Sequence, residues 1–191
     1  MNIPKRLENY LNFLLNIFDS SELENLDLLF ERLNKLFDTH GRIFVAGNGG
    51  SYAVASHVAT DLAKLNNKDK TLSTIHVGSN VSLLTAQSND DGYENALVNI
   101  IKNYNPGKDD ILICISSSGN SENILELIDY CNKLNVDTFS LVGFDGGKAK
   151  KTSKHTIHFL SEKYYYGPIE DLHMSVFHLY AHFIKKDISE I

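Results

Sequence analysis

Ile111-Leu112-Ile113-Cys114-Ile115-Ser116-Ser117-Ser118-Gly119-Asn120-Ser121 decides the fold. Its apolar run reads as a strand buried on both faces, as in a helix-covered parallel sheet. Small hydroxyl-bearing residues then lead into a stretch of helical periodicity. The same sentence occurs earlier: Ile43-Phe44-Val45-Ala46 runs into Gly47-Asn48-Gly49-Gly50-Ser51 and then a helix. A strand that ends this way leaves backbone N–H groups and Ser hydroxyls at a helix N-terminus, where an anion is held.

Outward from these loops, strands and helices alternate. Strands are expected at Arg42–Ala46, Leu72–Val77, Asp110–Ser116, Thr138–Val142 and His155–Leu160. Helices are expected from near Ser51, Ser121 and Ile169, with two shorter ones around Val81–Ser88 and Tyr93–Ile101. Asp145-Gly146-Gly147 reads as a tight turn into at most one helical turn, with no chemistry of its own. The pattern predicts an α/β three-layer α-β-α sandwich with a five-stranded parallel, flavodoxin-like sheet. Two helices precede it. The first carries Leu7, Tyr10, Leu11, Leu14, Leu15 and Phe18 at helical spacing. The second is expected to start at a Ser21/Glu24 capping box, to bury Leu23, Leu26, Phe30, Leu33 and Phe37, and to end at His40-Gly41. Residues 1–191 thus read as one domain, with a helical pair at 1–40 available for oligomer contacts and an α/β core at 41–191.

The chain has 191 residues, 42% of them hydrophobic, which suffices for one core. Eighteen basic residues stand against 24 acidic ones, for a net charge of -6. Lys148, Lys150, Lys151 and Lys154 form the densest basic cluster and read as a solvated turn, so nucleic acid is not an expected partner. No run approaches membrane-spanning length and no apolar leader is visible, which predicts a cytoplasmic protein without membrane contact. Cys114 and Cys131 read as small buried apolar residues.

The first loop lacks the glycine spacing of a dinucleotide fingerprint and the Gly-Lys-Ser/Thr of a nucleotide-binding P-loop, so no nucleotide cofactor is expected. As a plain turn it would need only Ser51 as an N-cap. The second loop carries more hydroxyls and amides than one cap uses, enough to surround a phosphate. Both lie at strand C-termini and can line one crevice.

With these motifs the chain resembles the SIS-type phosphosugar isomerases, and among them the phosphoheptose isomerases. The matching residues are the two loops, Ser82–Ala86 running into Ser88-Asn89-Asp90 and Gly92-Tyr93-Glu94, Asp145-Gly146-Gly147, and a last helix with His173 and His178. The resemblance covers essentially the whole chain. It implies a homotetramer with active sites between subunits, a phosphate held by Ser116, Ser118 and Ser121 with Ser117 nearby, and a sugar chain met by Asn48 and Ser51. Gly49, Gly50, Asn80, Asn120 and Glu170 complete the expected substrate contacts.

Aldose–ketose isomerisation moves a proton between C1 and C2 through an enediol and needs a base and an acid–base partner. Asp61 and His178 are the candidates, and the family places a carboxylate and a histidine there. Glutamate is usual where this chain has Asp61, glutamine at Glu170, aspartate at Asn80 and Gly167, and arginine at Leu65. Some members bind zinc between these helices, which implies a Zn²⁺ set of His57, Asp61, Glu170 and His178. His76, His155, His158, His173 and His182 read as structural or surface residues, and Tyr164-Tyr165-Tyr166 as a packed loop. The expected activity is conversion of sedoheptulose 7-phosphate to a heptose 7-phosphate for surface-polysaccharide precursors. The alternatives are isomerisation of another phosphosugar, or a non-catalytic SIS tetramer that binds a replication initiator or senses a phosphosugar.

Overall fold

The computed structural model describes residues 2–185; residue 1 and residues 186–191 of the expected domain lie outside it. The order is α1 (Ile3–Asp19), α2 (Leu26–Leu36), β1 (Arg42–Gly47), α3 (Gly49–Lys64), β2 (Asn66–Asn67), β3 (Lys70–Thr71), β4 (Ser73–His76), α4 (Val81–Asp91) and α5 (Tyr93–Lys102). Then come β5 (Ile111–Ser116), α6 (Glu122–Lys133), β6 (Asp137–Val142), α7 (Ala149–Thr152), β7 (His155–His158) and α8 (Tyr166–Lys185).

The five longer strands form one parallel sheet in the order β4-β1-β5-β6-β7, as expected from the alternating pattern. Alternation along β1 sorts the two faces. Ile43 and Val45 point into the cluster shared with Val58, Leu62, Leu33 and Tyr180 from α3, α2 and α8. Phe44 and Ala46 point into the opposite cluster, with Leu97, Ile101, Leu127 and Ile128 from α5 and α6. Three layers result. The chain turns from β1 outward to β4 and then returns to β5 on the other side. The order therefore reverses between β1 and β5, and the loops that follow these strands open a crevice there.

Several local expectations are corrected. Ser21 caps nothing: its hydroxyl donates to Ile17 O, 2.7 Å away, and Glu22 pairs with His158 across the β7 edge instead. Helix α2 starts after Asn25 and stops at Phe37, short of Gly41. Gly41 is required for another reason, because a Cβ there would collide with Asp109 O. The inward face of α2 is Leu29, Leu33 and Leu36, with Leu26 and Phe30 only half-buried. Helix α8 begins three residues earlier than Ile169, at Tyr166, and α3 starts ahead of Ser51, capped at Asn48. The β2–β3 hairpin was not anticipated. Its turn residues Lys68 and Asp69 both have positive φ, the backbone of a two-residue hairpin turn.

Helix α1 buries only Ile17. Ile3, Leu7, Leu11 and Leu15 are each more than half exposed and make one stripe, continued by Phe18. The amphipathic face predicted for this helix exists, but within the described chain little covers it.

Candidate active site

A cavity of about 260 Å³ lies at the crevice between β1 and β5. It is lined by Asn48, Gly49, Gly50 and Ser51 from the first loop, Ser116, Ser117, Ser118 and Ser121 from the second, and Tyr166 and Glu170 from α8. Nine of the eleven expected substrate contacts therefore meet in one place; Asn80 and Asn120 do not line it. A larger cavity of about 610 Å³ sits at the opposite end of the sheet around Arg42 and Asp110, whose charges already pair with each other.

What faces the smaller cavity is unspent hydrogen-bonding capacity. The N-cap residues of α3 and α6 are Asn48 and Ser121, and neither side chain makes a capping hydrogen bond. The first N–H groups of both helices thus lack a side-chain acceptor, while both helix dipoles present their positive ends. Ser117 is 3% exposed and its hydroxyl has no partner among the described residues. A buried hydroxyl without a partner is costly, and an anion held at the two helix termini would offer it an acceptor.

The turn after β6 holds the second loop in shape. Gly143 N donates to Ser117 O, Ala149 N to Gly119 O, and Lys148 N to Asn120 Oδ1, at 2.9–3.1 Å. Asn120 Nδ2 donates to Ser118 O at 2.9 Å. Asn120 is thus spent on bracing rather than on lining the cavity. Gly119 has φ +61, and a Cβ there would strike Gly146 O. Asp145-Gly146-Gly147 is a turn as expected, yet it is also the wall against which the serine loop is built.

Across the crevice the two loops are joined by an amide pair. Asn48 Nδ2 donates to Asn123 Oδ1 at 2.7 Å and Asn123 Nδ2 returns to Asn48 Oδ1 at 3.0 Å. Tyr93 Oη adds a third bond, donating to Asn48 Oδ1 at 2.7 Å.

Asp61 and His178 stand farther along α3 and α8. His57 Nε2 lies 3.1 Å from Asp61 Oδ2 and 3.1 Å from His178 Nε2, and Asp61 Oδ2 lies 3.8 Å from His178 Nε2. Both histidines are about half exposed, so His178 is not a packed core residue. A tetrahedral ion bound at ~2.0–2.1 Å holds its ligand atoms about 3.3 Å apart. Two imidazole nitrogens and one carboxylate oxygen at these spacings therefore suit a divalent cation, and among the described residues these three group tightly enough to hold one. Glu170 is separate. Eight residues before His178 on α8, it lies about 12 Å away along the axis. There its carboxylate rests against Gly50, where a Cβ would collide with both oxygens. Burial raises its pKa, with a further push from Asp171.

The remaining departures have structural uses. Leu65 is 2% exposed in the core and cannot reach a ligand. Asn80 caps α4, accepting from Leu83 N at 3.1 Å. Gly167 leaves room beside Tyr10, whose hydroxyl donates to Asp171 Oδ2 at 2.5 Å. Burial, then that bond, pushes the Tyr10 phenol up to about 12. Of the three tyrosines, Tyr165 packs on Phe13 and Tyr166 on Phe144, but all three remain exposed, Tyr164 at 80%, and Tyr166 opens α8, so the segment is not the packed loop expected. Tyr166 also lines the cavity.

Sequence reasoning left Tyr93 and Asn123 out of the site and preferred a packed loop to a sugar contact for Tyr166, which lines the cavity. Two of them left a trace: Tyr93 stands in the matching Gly92-Tyr93-Glu94 segment, and Asn123 is a polar residue on the inward side of α6, 2% exposed among Ile124, Leu127 and Ile128.

The model of the SIS domain matches residues 8–143. The phosphoheptose isomerase of Helicobacter pylori (strain P12) is 34% identical over 164 residues, which span 85% of this chain and 82% of that protein. That of Histophilus somni (strain 2336) is 31% identical over 183 residues, 93% and 91% of the two chains. Among solved structures, phosphoheptose isomerase GmhA from Neisseria gonorrhoeae superposes with a TM-score of 0.82 at 23% identity, over 97% of this chain and 100% of that one; this likeness speaks for the fold.

Proposed function

The chain belongs to the phosphoheptose isomerases of the SIS-domain family, and from that premise we propose that its crevice converts sedoheptulose 7-phosphate to the aldose heptose 7-phosphate through an enediol. It is an isomerase of phosphosugars. The observation that carries the site assignment is the unpartnered Ser117 hydroxyl in the loop that leads from β5 into α6, in a cavity ringed by serines.

The phosphate takes its hydrogen bonds from Ser116, Ser117, Ser118, Ser121 and the first N–H groups of α6. Asn48 and Ser51 meet the sugar chain that extends from it. A seven-carbon ester stretches about 9 Å from phosphorus to C1, at the ~3.3 Å that three bonds of an extended chain advance. Asp61 lies ten residues beyond Ser51 on α3, about 15 Å along the axis. A phosphate held by one chain therefore does not bring C1 to that chain's own Asp61. A second copy supplies Asp61 and His178, in a homotetramer whose copies join partly through residues 1–40, the whole of 1–191 acting as one SIS domain.

In the reaction, Asp61 removes the C1 proton, the freed pair forms the C1–C2 double bond, and the carbonyl pair moves onto O2. His178 gives O2 a proton. In the second half O1 loses its proton to His178 and Asp61 returns a proton to C2, so nothing is oxidised or reduced beyond the sugar itself. His57 orients this pair: its Nε2 faces both Asp61 Oδ2 and His178 Nε2.

The residues fit Zn²⁺, with His57, Asp61 and His178 from one copy and Glu170 from another. Bound there, the ion supplies Lewis-acid polarisation of the carbonyl. Free, buried Cys114 and Cys131 fit a reducing cytoplasm.

The test is a panel of hexose, pentose and heptose phosphates followed by NMR in deuterated water. Deuterium is expected at C1 or C2 with sedoheptulose 7-phosphate. Asp61→Asn should abolish exchange and leave inorganic phosphate binding intact. Exchange with a different sugar alone would overturn the substrate, and wild-type exchange in the variant would remove Asp61 as base.

A further inference from the structure

We infer that Tyr93 is a positioning residue of this site, whose hydroxyl sets which way the Asn48 amide faces the sugar. The inference rests on the reading of the cavity as a sugar-phosphate site. Helix α4 ends and α5 begins on the same residue, Gly92, at φ +84. That break places Tyr93 at the first position of α5, where its phenol reaches the loop after β1.

A primary amide has two N–H donors and an oxygen with two acceptor positions. In Asn48 both oxygen positions are taken, by Tyr93 Oη and Asn123 Nδ2, and one N–H goes to Asn123 Oδ1. A single N–H is left over. Asn48 therefore offers the cavity a donor, which matches a carbonyl or hydroxyl oxygen of the ligand.

The amide pair alone does not fix this arrangement. If both amides flip together, they exchange the same two hydrogen bonds, and Asn48 then presents an acceptor. Asn123 is 2% exposed, so water does not discriminate between its two orientations. The phenol favours one of them: a strong donor but a weak acceptor, it bonds best to Asn48 Oδ1, whereas after the flip it could only accept from the NH₂ group and its proton would turn to solvent. Tyr93 thereby selects one of two otherwise equivalent states.

Binding of sedoheptulose 7-phosphate and of inorganic phosphate to the full chain is measured by calorimetry for wild type, Tyr93→Phe, Asn48→Ala and the double variant. Tyr93→Phe keeps the ring and should weaken the sugar phosphate about fivefold, the value of one neutral hydrogen bond. Inorganic phosphate, held by the serine loop, should bind within twofold of wild type. In the Asn48→Ala background the tyrosine change should have no further effect, since it acts only through that amide. Equal affinities for wild type and Tyr93→Phe, parallel loss of inorganic phosphate, or additive effects would each overturn the inference. A wild-type chain that binds inorganic phosphate but no sugar phosphate would instead remove the underlying reading, and the inference with it.

Discussion

Gly50 and Glu170 compete for one position: the Glu170 carboxylate rests where a Gly50 side chain would be. The first residues of α3 and a carboxylate of α8 are thus in contact at the mouth of the cavity. Because the obstacle is the free end of a flexible side chain, Gly50→Ala should push Glu170 aside without disturbing the backbone. Alanine in a helix stabilises by about 0.5–1 kcal/mol over glycine. The variant should melt at or above the wild-type temperature while its KM for the sugar phosphate rises several-fold. Gly119→Ala is the contrast, since there the collision is with backbone at φ +61. It should lose a few kcal/mol of stability and inorganic phosphate binding together, as read by thermal denaturation with and without phosphate.

The His57–Asp61–His178 group makes a direct claim about metal. Zn²⁺ at a hundredfold excess over its Kd should stabilise the protein by about 2.7 kcal/mol, because it binds the folded chain alone. His57→Ala should abolish that shift in melting temperature. A variant that still gains the full shift would move the ion elsewhere.

The stripe on α1 predicts a dependence of activity on assembly. Leu11 is 52% exposed, on the turn between Leu7 and Leu15. Burying such a side chain between copies contributes about 1.5–3 kcal/mol. Leu11→Glu should leave the circular dichroism spectrum unchanged, yield a smaller species by light scattering, and lose turnover. An active monomer would overturn the shared site.

His173 predicts an acid-side loss of stability. It is fully buried, and burial pushes its imidazole down to about 4. Unfolded, the imidazole titrates near 6.5. As the pH falls below that value, the unfolded chain takes up a proton that the folded chain refuses. Stability from this residue is thus complete above pH ~6.5, declines toward pH ~4 and levels below, by a few kcal/mol in all. Melting temperature against pH should be flatter over that window in His173→Gln. An identical slope would show that other groups cause the loss.

The sheet and the two loops were legible because they rest on local patterns, uninterrupted apolar runs and small polar residues after them. Even helix α7, a single turn, followed from Asp145-Gly146-Gly147. What escaped depends on contacts distant in sequence. Ser21 and Glu24 have the spacing of a capping box, yet Glu22 is pulled onto the β7 edge by His158 and Lys150, so the segment never starts a helix there. Asn120 looks like a ligand contact until the Lys148 backbone claims it from 28 residues away. The spacing of Glu170 and His178 placed them two turns apart on one helix, but only the folded chain shows that His57 and Asp61 gather around His178 and not around Glu170.

The wall formed by the β6–α7 turn has a consequence for how such a site changes over time. It takes up the carbonyl groups of Ser117 and Gly119, while Ser118 O accepts from Asn120 Nδ2 within the loop, so the loop's shape is set by the protein itself. A phosphate placed there would meet a part that is already finished. Substitutions elsewhere around the cavity can then accumulate while the serine loop keeps its shape, and new specificities can arise without the scaffold being rebuilt.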